Sequence, residues 1–169
     1  MALIDEILMS ESIIYHIDTN FLLNYLIPDK KEFHEPVRKK LERNNWSGDV
    51  YKISKYALGE SLNRVLNFEY TNSITLDSVF KKMEFIRSLL NNNKIKVFGL
   101  DDVDENWIQH FEKLMEIKDY AIQKADRHIL ALFCADSDAK RIYTVDYNII
   151  RSDYINEYLE GLGKRVMEI

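Results

Sequence analysis

The 169-residue chain carries 23 Lys and Arg against 28 Asp and Glu, a single cysteine and 46% hydrophobic residues. That length suits one domain with a sizeable core, Cys134 has no partner for an internal disulfide, and no apolar run approaches the ~20 residues of a membrane helix. A net charge of −5 excludes a nucleic-acid coat that works by bulk positive charge, but not a nuclease whose acids gather at one site.

The chain starts MALIDEILMSES, with Asp5, Glu6 and Glu11 and no basic stretch, so residues 1–11 read as an extension rather than a secretory leader. With the unpaired Cys134, a reducing, cytoplasmic setting is expected. The first predicted strand is Ser12–Ile17, closed by Asp18-Thr19-Asn20. Pro36 is expected in the first turn of a helix reaching about Asn44, where its missing N–H costs little. A second strand, Val50–Ser54, follows the turn signal Ser47-Gly48-Asp49. Apolar stripes Leu58, Leu62, Val65, Leu66 and Val79, Met83, Ile86, Leu90 predict two helices. Asn91-Asn92-Asn93 reads as a turn into a third strand, Lys94–Phe98. The acids Asp101, Asp102, Asp104 and Glu105 are expected to open the next helix, as the macrodipole favours. Another helix is expected over Asp126–Ala135, a fourth strand over Arg141–Val145, one helix from Tyr147 to Leu162, and a fifth strand at Arg165–Ile169.

Strands alternating with helices predict an α/β fold: a mainly parallel sheet of four to five strands, covered on both faces. In such sheets ligands meet the carboxyl ends of the strands, so function is sought just after Ile17, Ser54 and Val145. Asp18 and Asp146 stand there, and either could simply cap a helix. Glu60 lies within about two turns of the second strand's end, among Leu58, Gly59 and Leu62. Asp126 opens an apolar helix and is equally open to a capping role. Together the four acids are more specific than any one. Two carboxylates ~5 Å apart repel by about 3 kcal/mol at an effective dielectric near 20, a cost that a hard divalent cation removes.

These segments resemble the PIN-domain ribonucleases, and among them the VapC-like toxins of type II toxin–antitoxin pairs. The matching residues are Ile17-Asp18-Thr19-Asn20-Phe21-Leu22-Leu23, Leu58-Gly59-Glu60-Ser61, Lys124-Ala125-Asp126-Arg127-His128-Ile129-Leu130-Ala131 and Thr144-Val145-Asp146, in that order across residues 12 to about 150. The resemblance implies a three-layer α/β/α domain and a Mg²⁺- or Mn²⁺-dependent endoribonuclease. Asp18, Glu60, Asp126 and Asp146 would bind the metal, with Thr19, Asn20 and Thr144 in support. It also implies a small antitoxin partner and a homodimer. Where family members often carry a further acid after the fourth motif, this chain has Asn148, which can ligate weakly or through water. The stretch from 60 to 126 is longer than toxin-type members show, and residues 70–120 could form an added helical hairpin for dimerisation or substrate clamping. A PIN-like RNA- or protein-binding scaffold without catalysis is the competing reading. A nucleotide-binding domain is disfavoured, because no glycine-rich phosphate loop is present.

Lys30, Lys31, Arg38, Lys39, Lys40 and Arg43 concentrate positive charge after the first motif. Lys39, Lys40, Arg43 and Arg127 are candidate contacts to the RNA backbone. The competing explanation for the run is a solvated helix face interleaved with Glu32, Glu35 and Glu42, and for Arg127 and His128 a surface position on a helix. Tyr15, Tyr25, Tyr51, Tyr56 and Tyr70 could stack on bases, but packing accounts for them more simply.

Overall fold

A computed structural model of the chain describes residues 12–27, 31–43, 48–67 and 75–169. The extension 1–11, Tyr70 and the side chain of Arg43 lie outside the described residues. In chain order the elements are β1 (Ile14–Ile17), α1 (Thr19–Leu26), α2 (Lys31–Arg43), β2 (Val50–Ser54), α3 (Lys55–Leu66), α4 (Leu76–Asn91) and β3 (Ile95–Phe98). A short 3-10 turn at Leu100–Asp102 leads to α5 (Trp107–Glu116), α6 (Lys124–Ala135), β4 (Arg141–Tyr143), α7 (Tyr147–Ile150), α8 (Asp153–Gly161) and β5 (Arg165–Met167).

All five strands pair in parallel, in the order β3-β2-β1-β4-β5. Successive side chains of a strand point to opposite faces, and β1 shows what each face meets. Tyr15 stacks on Tyr143 at 4.9 Å and tilts against Tyr51 at 5.7 Å, while Phe21 of α1 packs on Tyr51 and Tyr143. His16, on the other face, meets Phe98 and Phe133, the latter on α6. Helices thus cover both faces, as the alternation of elements requires. Tyr15, Tyr25 and Tyr51 are core residues, so packing, not base stacking, accounts for them. Helices α1 and α6 are buried over most of their length, and Phe21, Leu26 and Phe133 are fully buried. Cys134 is also buried, and burial pushes its thiol up to about 12.

Below the sheet on the α6 side lies a polar network with a structural task. His16 and Lys52 are register partners on β1 and β2, and both reach Oδ2 of Asp136, at 2.8 and 2.7 Å. Lys164 donates to the carbonyls of Asp136 and Ala139 at 2.6 Å each. Burial lowers the His16 pKa, so its imidazole is neutral at pH 7 and donates Nε2–H to the carboxylate. For Asp136, burial works upward, but the hydrogen bonds and charges of His16 and Lys52 hold the carboxyl well below the usual range.

Local structure departs from expectation in three places. Helix α2 begins at Lys31, so Pro36 sits inside it and not in its first turn. The missing N–H leaves only the carbonyl of Glu32 without its helical partner, near an end that faces water. The acids at 101–105 do not open α5, which starts at Trp107; Asp102 instead accepts the N–H of Gly99 at 2.7 Å and Asp104 that of Asn106 at 3.1 Å, closing tight turns. The single helix expected over Tyr147–Leu162 is two, because Ser152 caps α8 through the N–H of Ile155 and donates to Asp119 at 2.5 Å. The Asn91–Asn93 turn is as expected. Asn93 takes the left-handed conformation (φ 56°), and Lys94 returns its N–H to Leu89 at 2.9 Å. Within residues 70–120, α4 and α5 flank β3, an edge strand of the sheet.

Candidate active site

Strand order reverses at β1, with β2 on one side and β4 on the other, so the β1/β4 seam is a topological switch point. Asp18 leaves β1 there. It caps α1 by accepting the N–H of Phe21 at 2.6 Å, its own N–H donates to Tyr143 at 3.4 Å, and its second oxygen accepts the hydroxyl of Thr144. The hydroxyl oxygen of Thr144 accepts the N–H of Asp146 at 3.0 Å, and Asp146 caps α7 through the N–H of Asn148 at 2.9 Å. The capping roles are therefore real for Asp18 and Asp146. They orient the carboxylates without consuming every lone pair.

Glu60 stands on α3, which is capped by Ser54. Its side chain is 21% exposed, and its oxygens accept from Thr19 Oγ1 at 2.7 Å and from Arg64 at 2.6 Å. Ser61, beside it, donates to Ala57 and lies 3.4 Å from the carbonyl of Thr19, locking α3 onto α1. Glu60 is thus no solvated surface acid. Asp126 lies in the first turn of α6 and accepts the N–H of Gln123 at 3.0 Å. Asn20 is half-buried on α1 and its carbonyl accepts from Asn24, while Asn148 is exposed on α7.

Electrostatics tie these positions together. Burial, opposed by the Thr144 and Phe21 hydrogen bonds and reinforced by the charges of Asp126 and Asp146, pushes Asp18 up to about 7. Burial also raises Asp126, against its bond to Gln123, with Asp146 and Glu60 adding to the rise and Arg64 opposing it. Asp18, Asp126 and Thr144 share a cavity of about 10 Å³ with Ile129, Leu130, Ile142 and Ile149. That is near the lower limit for one water. Asp18, Asp126 and Asp146 therefore lie within one another's field at one edge of the sheet, and Glu60 acts on Asp126. They do not converge on a point: among the described residues no three Asp, Glu, His or Cys side chains form a ready metal cage. Arg64, one turn after Glu60, is the functional neighbour that sequence reading missed; its signal was the i, i+4 spacing of opposite charges.

The basic candidates fare differently. Arg127 is a correction: its residue is 6% exposed, and its guanidinium faces inward to the carbonyls of Ile122, Leu114, Ile117 and Asp119. Leu114 lies in the last turn of α5 and Ile117 caps its end, so Arg127 satisfies carbonyls a helix terminus leaves open. It is not available to an RNA backbone. Hydrogen bonds to a charged group contribute about 1.5–3 kcal/mol each, so Arg127→Ala is expected to cost about 3 kcal/mol or more in urea unfolding. A loss below about 1 kcal/mol would show that the four carbonyls find other donors. Lys40 donates to the Tyr143 hydroxyl at 2.8 Å and lies over its ring, while Lys39 is exposed at the rim of a separate cavity of about 430 Å³ with Tyr15, Tyr51 and Tyr143. Arg38 is held by Glu35 and Glu42, as a solvated helix face predicts. His128 is half-buried among Tyr56, Trp107 and Phe111 rather than on an open helix surface.

No protein-family model matches the chain, and no curated protein matches its sequence. Among solved structures it is similar to VapBC2 from Rickettsia felis bound to a DNA fragment from their promoter, with a TM-score of 0.56 and 14% identity over 92% of this chain and 98% of that one. FitAB bound to the IR36 DNA fragment gives a TM-score of 0.48 at 18% identity, covering 91% and 94% of the two chains. FitAcB from Neisseria gonorrhoeae gives 0.45 at 18% identity, covering 90% and 96%. The α/β fold is thus one shared with a chain of the VapBC2 complex.

Proposed function

We propose that the chain is a VapC-like PIN-domain toxin: a Mg²⁺- or Mn²⁺-dependent endoribonuclease that hydrolyses RNA phosphodiester bonds. The observation that carries this reading is the placement of Asp18, Asp126 and Asp146 within one another's field, with Glu60 acting on Asp126, at the carboxyl edge of a parallel sheet beside its switch point. Hard oxygen donors under mutual repulsion suit a divalent cation, and Mg²⁺ uses only one or two carboxylates while keeping waters. Asp18 and Asp126, which share a cavity, fit that donor set best, with Asp146 in their field and Glu60 available once released from Arg64. A bound ion would lower the pKa of an attacking water and stabilise charge on the phosphoryl oxygens. Thr144 holds Asp18 and Thr19 holds Glu60, so each acid has a hydroxyl that fixes its orientation. Asn148 would join only through water. No His, Cys or Ser nucleophile enters.

An antitoxin partner follows from the same reading and is supported by the architecture of VapBC2, a complex bound to its promoter DNA. A homodimer is part of the proposal as well. The alternative, an inactive RNA- or protein-binding scaffold, draws on one observation: Glu60 is already neutralised by Arg64.

Cleavage of single-stranded RNA by the purified chain, with Mg²⁺ or Mn²⁺ and after chelation, separates the two. Metal-dependent cleavage is expected, reduced by about 10²–10³-fold in Asp146→Asn. Metal-dependent stabilisation with no cleavage of any RNA would instead establish the scaffold.

A further inference from the structure

Helices α3 and α6 touch where Tyr56 meets the ring of His128 edge-on at 5.2 Å. Glu60, whose charge acts on Asp126 of α6, follows Tyr56 by four residues, about 6 Å along α3 and on the same side. Around the Tyr56–His128 contact lies a cavity of about 320 Å³, lined by Tyr56, Phe111, Lys124, Ala125 and His128.

We infer that this cavity is a nucleobase-binding subsite, taking an unstacked base of single-stranded RNA next to the scissile phosphate. It rests on the nuclease reading for its place in a reaction, and on its own walls for its chemistry. Tyr56 is 45% exposed, in contrast to the tyrosines of the core, and so offers an aromatic surface to a ligand. Trp107 at 5.7 Å and Phe111 at 6.0 Å also meet the His128 ring edge-on. The buried Nδ1 of His128 has no hydrogen-bond partner among the described residues. The His128 ring, edge-on to Tyr56, completes the aromatic wall of the cavity. Lys124, exposed at the start of α6, supplies a cation for the phosphate that the base carries with it. Lys124 and Ala125 line the cavity and Asp126 follows them directly in the first turn of α6, so the cavity adjoins the acidic edge.

The test is equilibrium binding of a single-stranded oligouridylate of about ten residues to the Asp146→Asn protein, beside an abasic strand of the same backbone. The base-bearing strand is expected to bind about tenfold more tightly, and Tyr56→Ala to erase that preference while Tyr56→Phe keeps it. The His128 ring resonances should shift with the base-bearing strand and not with the abasic one. Equal affinity for both strands, no binding of either, or a preference that survives Tyr56→Ala would overturn the subsite. So would a Tyr56→Ala protein that keeps its base preference and instead loses affinity for a protein partner. Base preference without metal-dependent cleavage by the wild type would leave the subsite standing and remove the nuclease reading.

Discussion

Asp18→Asn is expected to abolish RNA cleavage and, at pH 8 without metal, to make the protein more stable than the wild type. The folded-state pKa of Asp18 is about 7, against about 3.9 for an unfolded Asp. Between those values the folded chain retains a proton that the unfolded chain has released. Stability therefore falls as pH rises through this window, by about 1.4 kcal/mol per unit and about 4 kcal/mol in all. Asn carries no such cost and can still accept the N–H of Phe21 that caps α1. Urea unfolding at pH 5 and pH 8 in the presence of chelator reads the difference directly. The gap between the two proteins should widen by about 3 kcal/mol from pH 5 to pH 8, and Mg²⁺ should narrow it by binding only the folded wild type. Parallel pH profiles would show that Asp18 does not carry the buried charge.

The second large effect is expected at the opposite end of α6. Asp136→Ala removes the carboxylate that His16 and Lys52 share, leaving the buried His16 donor unpaired and Lys52 with only its longer contact to Asp138 at 3.6 Å, a change that costs about 3–5 kcal/mol. Because this carboxyl is held low in the folded state, its stabilisation is present above the usual carboxylate range and lost as pH falls through it. Combining Asp136→Ala with Lys52→Met should cost less than the sum of the single changes, since each removes the other's partner. About ten residues of helix, roughly 15 Å, separate Asp136 from Asp126, so cleavage per folded molecule should stay within a few-fold of wild type. A strictly additive pair in urea unfolding would deny the network its shared carboxylate.

These contrasts show what the residue string does and does not carry. The five strands were legible because β-branched and aromatic runs bounded by turn residues have few other uses, and the acids after β1 and β4 were legible because their places follow from the strands. Arg127 was not. Its partners are backbone carbonyls, which every residue owns, so no pattern of side chains announces them. Ser152 was hidden for a related reason: one hydroxyl in an apolar period looks the same on a helix surface as at a cap. The link between Tyr56 and His128 depends on how α3 and α6 meet, a tertiary fact without a local signal. Glu60 fell between these cases. Its apolar neighbours argue against a solvated position, but nothing local in the residue string pairs it with Thr19, 41 positions earlier.

The hydrogen bond from Thr144 to Asp18 joins residues 126 positions apart. Closing so long a segment is entropically expensive and is compensated only when β1 and β4 are paired. Local helices can form early, but the acids cannot gather until the middle of the sheet has zipped shut. The charged edge is thus a product of the whole topology, present only where β1 and β4 are paired.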